Sequence, residues 1–181
     1  MRRWLWLLLA GCGAAPLPPD AGVDGGTVID AGPQLTAFQQ SLLTSHNTVR
    51  ANVMPAPSPP LPPMQWSASA QALAEDWAAR CDFQHRDPNT MGENISASTQ
   101  ELTAAAVTRW ASESADYTWS TNTCRLGQVC GHYTQIVWRS SIGLGCAQQR
   151  CETNSPFNTV AWYFLVCNYD PAGNFIGQKP Y

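Results

Sequence analysis

The sequence predicts an α+β domain built of packed layers. Three observations carry that reading. Apolar residues recur at helical spacing in three segments before residue 116. Two β-rich runs, Gly143 to Arg150 and Thr159 to Asn168, lie near the C-terminus and are joined by a turn-rich stretch. Of the 181 residues 44% are hydrophobic, enough to fill a core between helices and hairpin, which excludes a disordered chain.

The elements follow in chain order. Leu35, Phe38, Leu42, His46 and Val49 form one apolar stripe, so a first helix is expected over about 35 to 51. His46 lies on that stripe and reads as a hydrogen-bonded core residue. Six prolines between Pro55 and Pro63 then forbid helix and interior strand. Ser67 caps a second helix with the stripe Ala70, Leu73, Trp77 and Cys81. Thr99 caps a third, reaching to about Ala115. Residues 116 to 131 look irregular, and β-formers dominate from Tyr133 onward. Trp66, Trp77, Trp110, Trp138 and Trp162 read as core, whereas Trp119 is the tryptophan expected to be exposed.

The N-terminal part reads as address and tether. Arg2 and Arg3 precede the apolar run Trp4 to Ala10, which is far shorter than the ~20 residues of a membrane span. Residues 1–11 are therefore a secretory signal. Leu9-Ala10-Gly11-Cys12 resembles the bacterial lipobox, which implies acylation of Cys12 and a membrane contact through that residue alone. Gly13 after the cysteine favours an outer-membrane address. Residues 12–33 are rich in Gly, Pro, Ala and Asp and form a flexible tether, leaving 34–181 as the folded domain. Lys179 is the only lysine and the formal net charge is -3, so no basic face exists for nucleic acid.

Seven cysteines is an odd number for an exported chain. Lipid on Cys12 leaves Cys81, Cys124, Cys130, Cys146, Cys151 and Cys167, which can form three disulfides in 15 ways. None has the Cys-x-x-Cys spacing of a zinc or redox motif. A hairpin centred between Pro156 and Phe157 would oppose Cys146 to Cys167. Cys151 then points to the other sheet face and could meet Cys81, leaving Cys124 and Cys130 to close a small loop.

Four segments together resemble the CAP superfamily of cysteine-rich secretory proteins, insect venom antigens and plant pathogenesis-related proteins of class one. They are His46-Asn47-Thr48-Val49-Arg50, Gly92-Glu93-Asn94, the octapeptide Gly131 to Trp138, and Cys167 to Asn174. The resemblance spans residues 35 to 181 and is strongest to the plant branch. It implies a three-layer α-β-α sandwich with disulfides Cys81–Cys151, Cys124–Cys130 and Cys146–Cys167. It also implies a cleft lined by His85, Glu93, Glu113 and His132. The Pro171 to Tyr181 tail resembles a segment released from plant relatives; here a packed tail is expected.

Glu113 has a separate argument. On an uninterrupted helix it lies about 20° from Leu102, near the buried stripe, where a carboxylate needs a partner. An i, i+4 pair with Arg109 is the plain alternative.

Two imidazoles and two carboxylates admit three readings. His85 and His132 could hold a divalent ion such as Zn²⁺, with water or a carboxylate completing the shell. Glu93 and Glu113 could act as catalytic acid and base in an extracytoplasmic peptidase or glycan hydrolase. The four could instead be a polar network in an adhesion or scaffold protein with an inert cleft. The expected function is a binding module for a lipid, sterol-like molecule, glycan or peptide at the cell envelope or outside the cell, with a monomer favoured over an oligomer.

Overall fold

The structure, a computed structural model, describes residues 34–181. The expected signal at 1–11, the tether at 12–33 and the acylated Cys12 lie outside the described residues. In chain order the elements are α1 (Ala37–Ala51), β1 (Gln65–Trp66), α2 (Ala68–Ala78), β2 (Gly92–Ser98), α3 (Ala105–Ser112), β3 (Tyr117–Thr118), β4 (Thr123–Cys124), α4 (Gly131–Ile136), β5 (Gly143–Cys151) and β6 (Trp162–Asp170). A 3-10 turn, Glu113–Asp116, continues α3.

Four strands form one sheet in the order β1-β5-β6-β2, with β1 parallel to β5 and the other pairs antiparallel. The β5–β6 register opposes Cys146 to Cys167 and Cys151 to Trp162, the hairpin alignment expected. Alternation along β6 divides the core. Leu165, Cys167 and Tyr169 pack with Leu42 of α1, Val107 and Trp110 of α3 and Ile136 of α4. Trp162, Phe164 and Val166 pack with Ala74 and Ala78 of α2. The result is helices on both faces of a mixed sheet, the three-layer α-β-α arrangement. The three disulfides are Cys81–Cys151, Cys124–Cys130 and Cys146–Cys167.

The first two helices start where their caps place them. Thr36 and Gln39 form a capping box for α1, and the Ser67 hydroxyl accepts from the Ala70 amide at the start of α2. The buried face of α2 is Ala70, Ala74 and Ala78, with Leu73 and Trp77 only half-buried at its flank. The expected stripe through Leu73 and Trp77 fails because α2 lies too close to the sheet for long side chains. A Cβ on Gly145 of β5 would sit 2.0 Å from the Gln71 nitrogen.

Three segments depart from expectation. α3 begins at Ala105, not after Thr99, because the Leu102 amide is taken by the Gln148 side chain at 2.6 Å. β2 has only one β-branched residue, Ile95, but β6 offers it seven paired positions. Gly131 to Ile136, rich in β-formers, is helical. Such a short helix is unstable alone. Charged side chains hold both its ends: Glu113 accepts from the His132 and Tyr133 amides at 3.0 and 3.1 Å, and Arg50 donates to the Ile136 and Trp138 carbonyls at 2.8 Å each.

Arg50 is buried, and it also donates to the Pro62 carbonyl at 2.9 Å and the Arg139 carbonyl at 3.3 Å. Burial pulls its pKa down to about 10. The polyproline segment, α1 and α4 thus meet on one guanidinium. His46 is fully buried, as expected for a core histidine. The Leu42 carbonyl can only accept, so Nδ1 carries the proton (2.8 Å) and Nε2 accepts from the Tyr169 hydroxyl (2.8 Å). The Asn94 amide donates to that hydroxyl at 2.9 Å and to the His132 carbonyl at 3.1 Å. One polar chain therefore links α1, β6, β2 and α4.

The end of the C-terminal tail is anchored to the domain, while residues 174–179 are exposed. The Arg139 amide donates to the Pro180 carbonyl at 2.7 Å, and Tyr181 stacks on Trp119 at 5.9 Å. Lys179 lies 3.8 Å above the same indole. Trp119, expected as an exposed contact, is half-buried because the tail covers it. Trp110, Trp138 and Trp162 are core; Trp66 and Trp77 are half-buried.

Burial lowers His46 from its ordinary 6.5 to about 4. Between those values the unfolded chain binds a proton that the folded chain excludes, so stability falls as pH drops from about 6.5 to about 4, by roughly 3 kcal/mol in all. Thermal unfolding across that range should show this loss, and His46→Gln should flatten it. Arg50→Met leaves four carbonyls without their donor and should cost at least about 3 kcal/mol by denaturant titration. Gly145→Ala should destabilise by about 3 kcal/mol or more, because its new methyl meets helix backbone and not a movable side chain.

Candidate functional site

The four expected site residues form two His–Glu pairs. Glu93 stands on β2 opposite Asn168 of β6. Asn168 donates to the Ala70 carbonyl at 3.4 Å, so this row of the sheet faces α2. Glu93 Oε1 accepts from His85 Nδ1 at 2.8 Å and from the Arg86 amide at 3.0 Å. Its side chain is 3% exposed whereas that of His85 is 60% exposed, so the pair has a dry carboxylate and a wet imidazole.

The loop carrying His85 is fastened to α2. Cys81 anchors its start through the bridge to Cys151. Arg86 donates to the Leu73 carbonyl at 3.1 Å and to Asp76 at 2.5 Å, which holds the Asp76 carboxyl below its ordinary range. Trp77 donates from its indole to the Gln84 carbonyl at 2.8 Å, with the Arg86 guanidinium over its ring at 5.0 Å.

The second pair lies across the sheet. Glu113 sits in the 3-10 turn and not on an uninterrupted helix from Leu102, so the helical-wheel argument for its placement does not apply. Its carboxylate is nonetheless mostly buried and accepts from His132 Nδ1 at 2.5 Å besides the two amides of α4. Arg109, the alternative partner, reaches Ser96 instead. The His132 ring stacks on Trp110, with centroids 5.7 Å apart and planes at 14°.

β2 relates the two pairs. Glu93 faces α2, while the next residue, Asn94, faces the other layer and holds the His132 carbonyl. The pairs therefore flank a sheet edge, since β2 is bonded on one side only. Among the described residues, no three His, Cys, Asp or Glu side chains gather closely enough to hold a metal by themselves. A cleft of about 340 Å³ lies beside α4, lined by Tyr117, Gly131, Thr134, Trp138, Asn174 and Phe175 among others; none of the four residues lines it.

The chemistry available is that of oriented imidazoles. Each ring gives its Nδ1 proton to a carboxylate, so a neutral ring keeps its lone pair on Nε2, the tautomer that binds metals. Imidazole nitrogens so presented are donors of the kind that bind divalent ions such as Zn²⁺. Glu113 is committed by three hydrogen bonds. Glu93 Oε2 is buried without a hydrogen bond. Arg50, Asn94 and Asn168 stood inside the motifs quoted from the sequence, but nothing there disclosed their partners. Arg86 carried no signal beyond its place next to His85.

The fold and its paired residues define a disulfide-stapled α-β-α domain with a His–Glu pair on each face of an edge strand. The description "CAP: Cysteine-rich secretory protein family" matches residues 43–169, and the chain belongs to this family. It is 41% identical over 147 residues to pathogenesis-related leaf protein 4 of Solanum lycopersicum, covering 78% of this chain and 82% of that one. It is 43% identical over 149 residues to pathogenesis-related protein 1C of Nicotiana tabacum, covering 79% and 80%. The structure of Schistosoma mansoni venom allergen-like protein 4 shares the fold, with a TM-score of 0.65 at 24% identity over 81% of this chain and 95% of that one.

Glu113→Ala removes the acceptor from two helix amides and one imidazole. It should cost about 2 kcal/mol in thermal unfolding, and Glu113→Gln, which keeps an acceptor oxygen, should cost less.

Proposed function

We infer that this chain is an extracytoplasmic binding protein whose two His–Glu pairs hold a divalent ion, Zn²⁺ by donor chemistry, at the open edge of β2. His85 and His132 supply their Nε2 atoms, and water completes the shell. One observation carries this reading: both rings have Nδ1 committed to a carboxylate, which orients and strengthens the opposite nitrogen as a ligand. The same commitment weighs against hydrolysis, because Glu113 is already the cap of α4. A divalent ion held there would supply a Lewis-acidic contact for a ligand of the lipid, sterol-like, glycan or peptide classes. Export fits three disulfides, which persist in oxidising compartments. The Leu-Ala-Gly-Cys segment supports a lipid anchor at Cys12.

Calorimetry of the full chain with ZnCl₂ should show binding near neutral pH that weakens in acid, where protonated imidazoles cannot ligate. His85→Ala and His132→Ala should each weaken it at least tenfold. No heat with the wild-type chain would refute the metal reading. Turnover of peptide or cell-wall substrates that Glu93→Gln abolishes would make the protein a hydrolase instead.

A further inference from the structure

Three side-chain atoms among the described residues are buried without any hydrogen bond: Arg86 Nε, Glu93 Oε2 and Asn168 Oδ1. They fall in one corner of the molecule. Glu93 and Asn168 are directly opposed on β2 and β6, which puts their Cβ atoms about 4.5–5.5 Å apart on the face toward α2. The Arg86 amide is bonded to the other oxygen of the same Glu93 carboxylate. Asn168 and Arg86 donate to the carbonyls of Ala70 and Leu73, which lie one helical turn apart on α2.

The orientation of each group is forced. The Ala70 carbonyl can only accept, so Asn168 must give it Nδ2 and turn Oδ1 away. Glu93 Oε1 already takes two donors. That leaves one N–H and two oxygens in a dry corner, where unpaired polar atoms are costly. Two oxygens cannot bond each other without a hydrogen, and a single N–H can give a well-aligned bond to only one of them. A cation is disfavoured beside the guanidinium and an anion beside the carboxylate.

We propose that this corner is a binding site for one internal water, which accepts from Arg86 Nε and donates to Glu93 Oε2 and Asn168 Oδ1. One donor and two acceptors match the bonding capacity of a single water molecule. The water occupies the free side of the carboxylate, so both oxygens of Glu93 are held and Oε1 stays aimed at His85. Arg86 and Asn168 are then positioning residues for the His85 ring. The site does not depend on metal binding.

A crystal structure of the full chain that resolves ordered water should place one water within hydrogen-bond distance of all three atoms, about 2.7–3.2 Å. A direct Arg86 Nε–Glu93 Oε2 bond in its place, or Glu93 Oε2 against Asn168 Oδ1, would overturn the proposal. Arg86→Met keeps an unbranched side chain at this position and removes the donor. Oxygen-17 relaxation dispersion should then count one long-lived water fewer than in the wild type, and an unchanged count would also overturn it.

Discussion

Helix α4 exists because two charges reach it from elsewhere in the chain. Three of its six residues, Tyr133, Thr134 and Ile136, are strand formers, and no side chain at its own Cys130 N-cap bonds its amides. Glu113 meets the N-terminal amides and Arg50 the C-terminal carbonyls, so each macrodipole end finds its complementary charge. Much else follows from that clamp. It places His132 with its ring on Trp110 and its carbonyl in reach of Asn94. It places Ile136 and Val137 in the core. Arg50 ties the polyproline segment to the same helix through Pro62. A buried guanidinium without a carboxylate is held here by four carbonyls, which spread its charge over dipoles already oriented by the fold.

The interior carries a hydrogen-bonded polar chain within its apolar core. His46, Tyr169 and Asn94 form a relay in which every proton has a defined direction, ending at the Leu42 and His132 carbonyls. Burial keeps His46 neutral, and the same burial pushes the Tyr169 hydroxyl well above its ordinary range, so neither carries charge into the core. Such a chain is satisfied in one register only. It fixes how α1 and α4 sit on the sheet, while the disulfides Cys146–Cys167 and Cys81–Cys151 fix the hairpin and the end of α2.

The two His–Glu pairs are built from different materials. The Glu113–His132 pair is a by-product of helix capping, and its carboxylate is saturated. The Glu93–His85 pair joins a strand to a loop that Arg86, Trp77 and Asp76 strap to α2. One imidazole is thus rigid by stacking and the other wet and loop-borne.

Local chemistry made much of this protein legible from its residues. Apolar spacing located α1, the capping residue Ser67 located the start of α2, and the β-rich runs located β5 and β6. The hairpin alignment brought Cys146 opposite Cys167, and the motifs picked out Glu93 and His132. Each of these signals lies within a few residues of the element it specifies. Tertiary structure decided the rest. β2 becomes a strand only because β6 has an open edge. α4 becomes a helix only when Glu113 and Arg50 arrive, and α2 buries alanines only because Gly145 lets it approach. The partners of Glu113, Asn94, Asn168 and Arg86 are 7 to 98 positions away along the chain. A sequence pattern records which side chains are available. It does not record which of them the folded chain brings within hydrogen-bond reach.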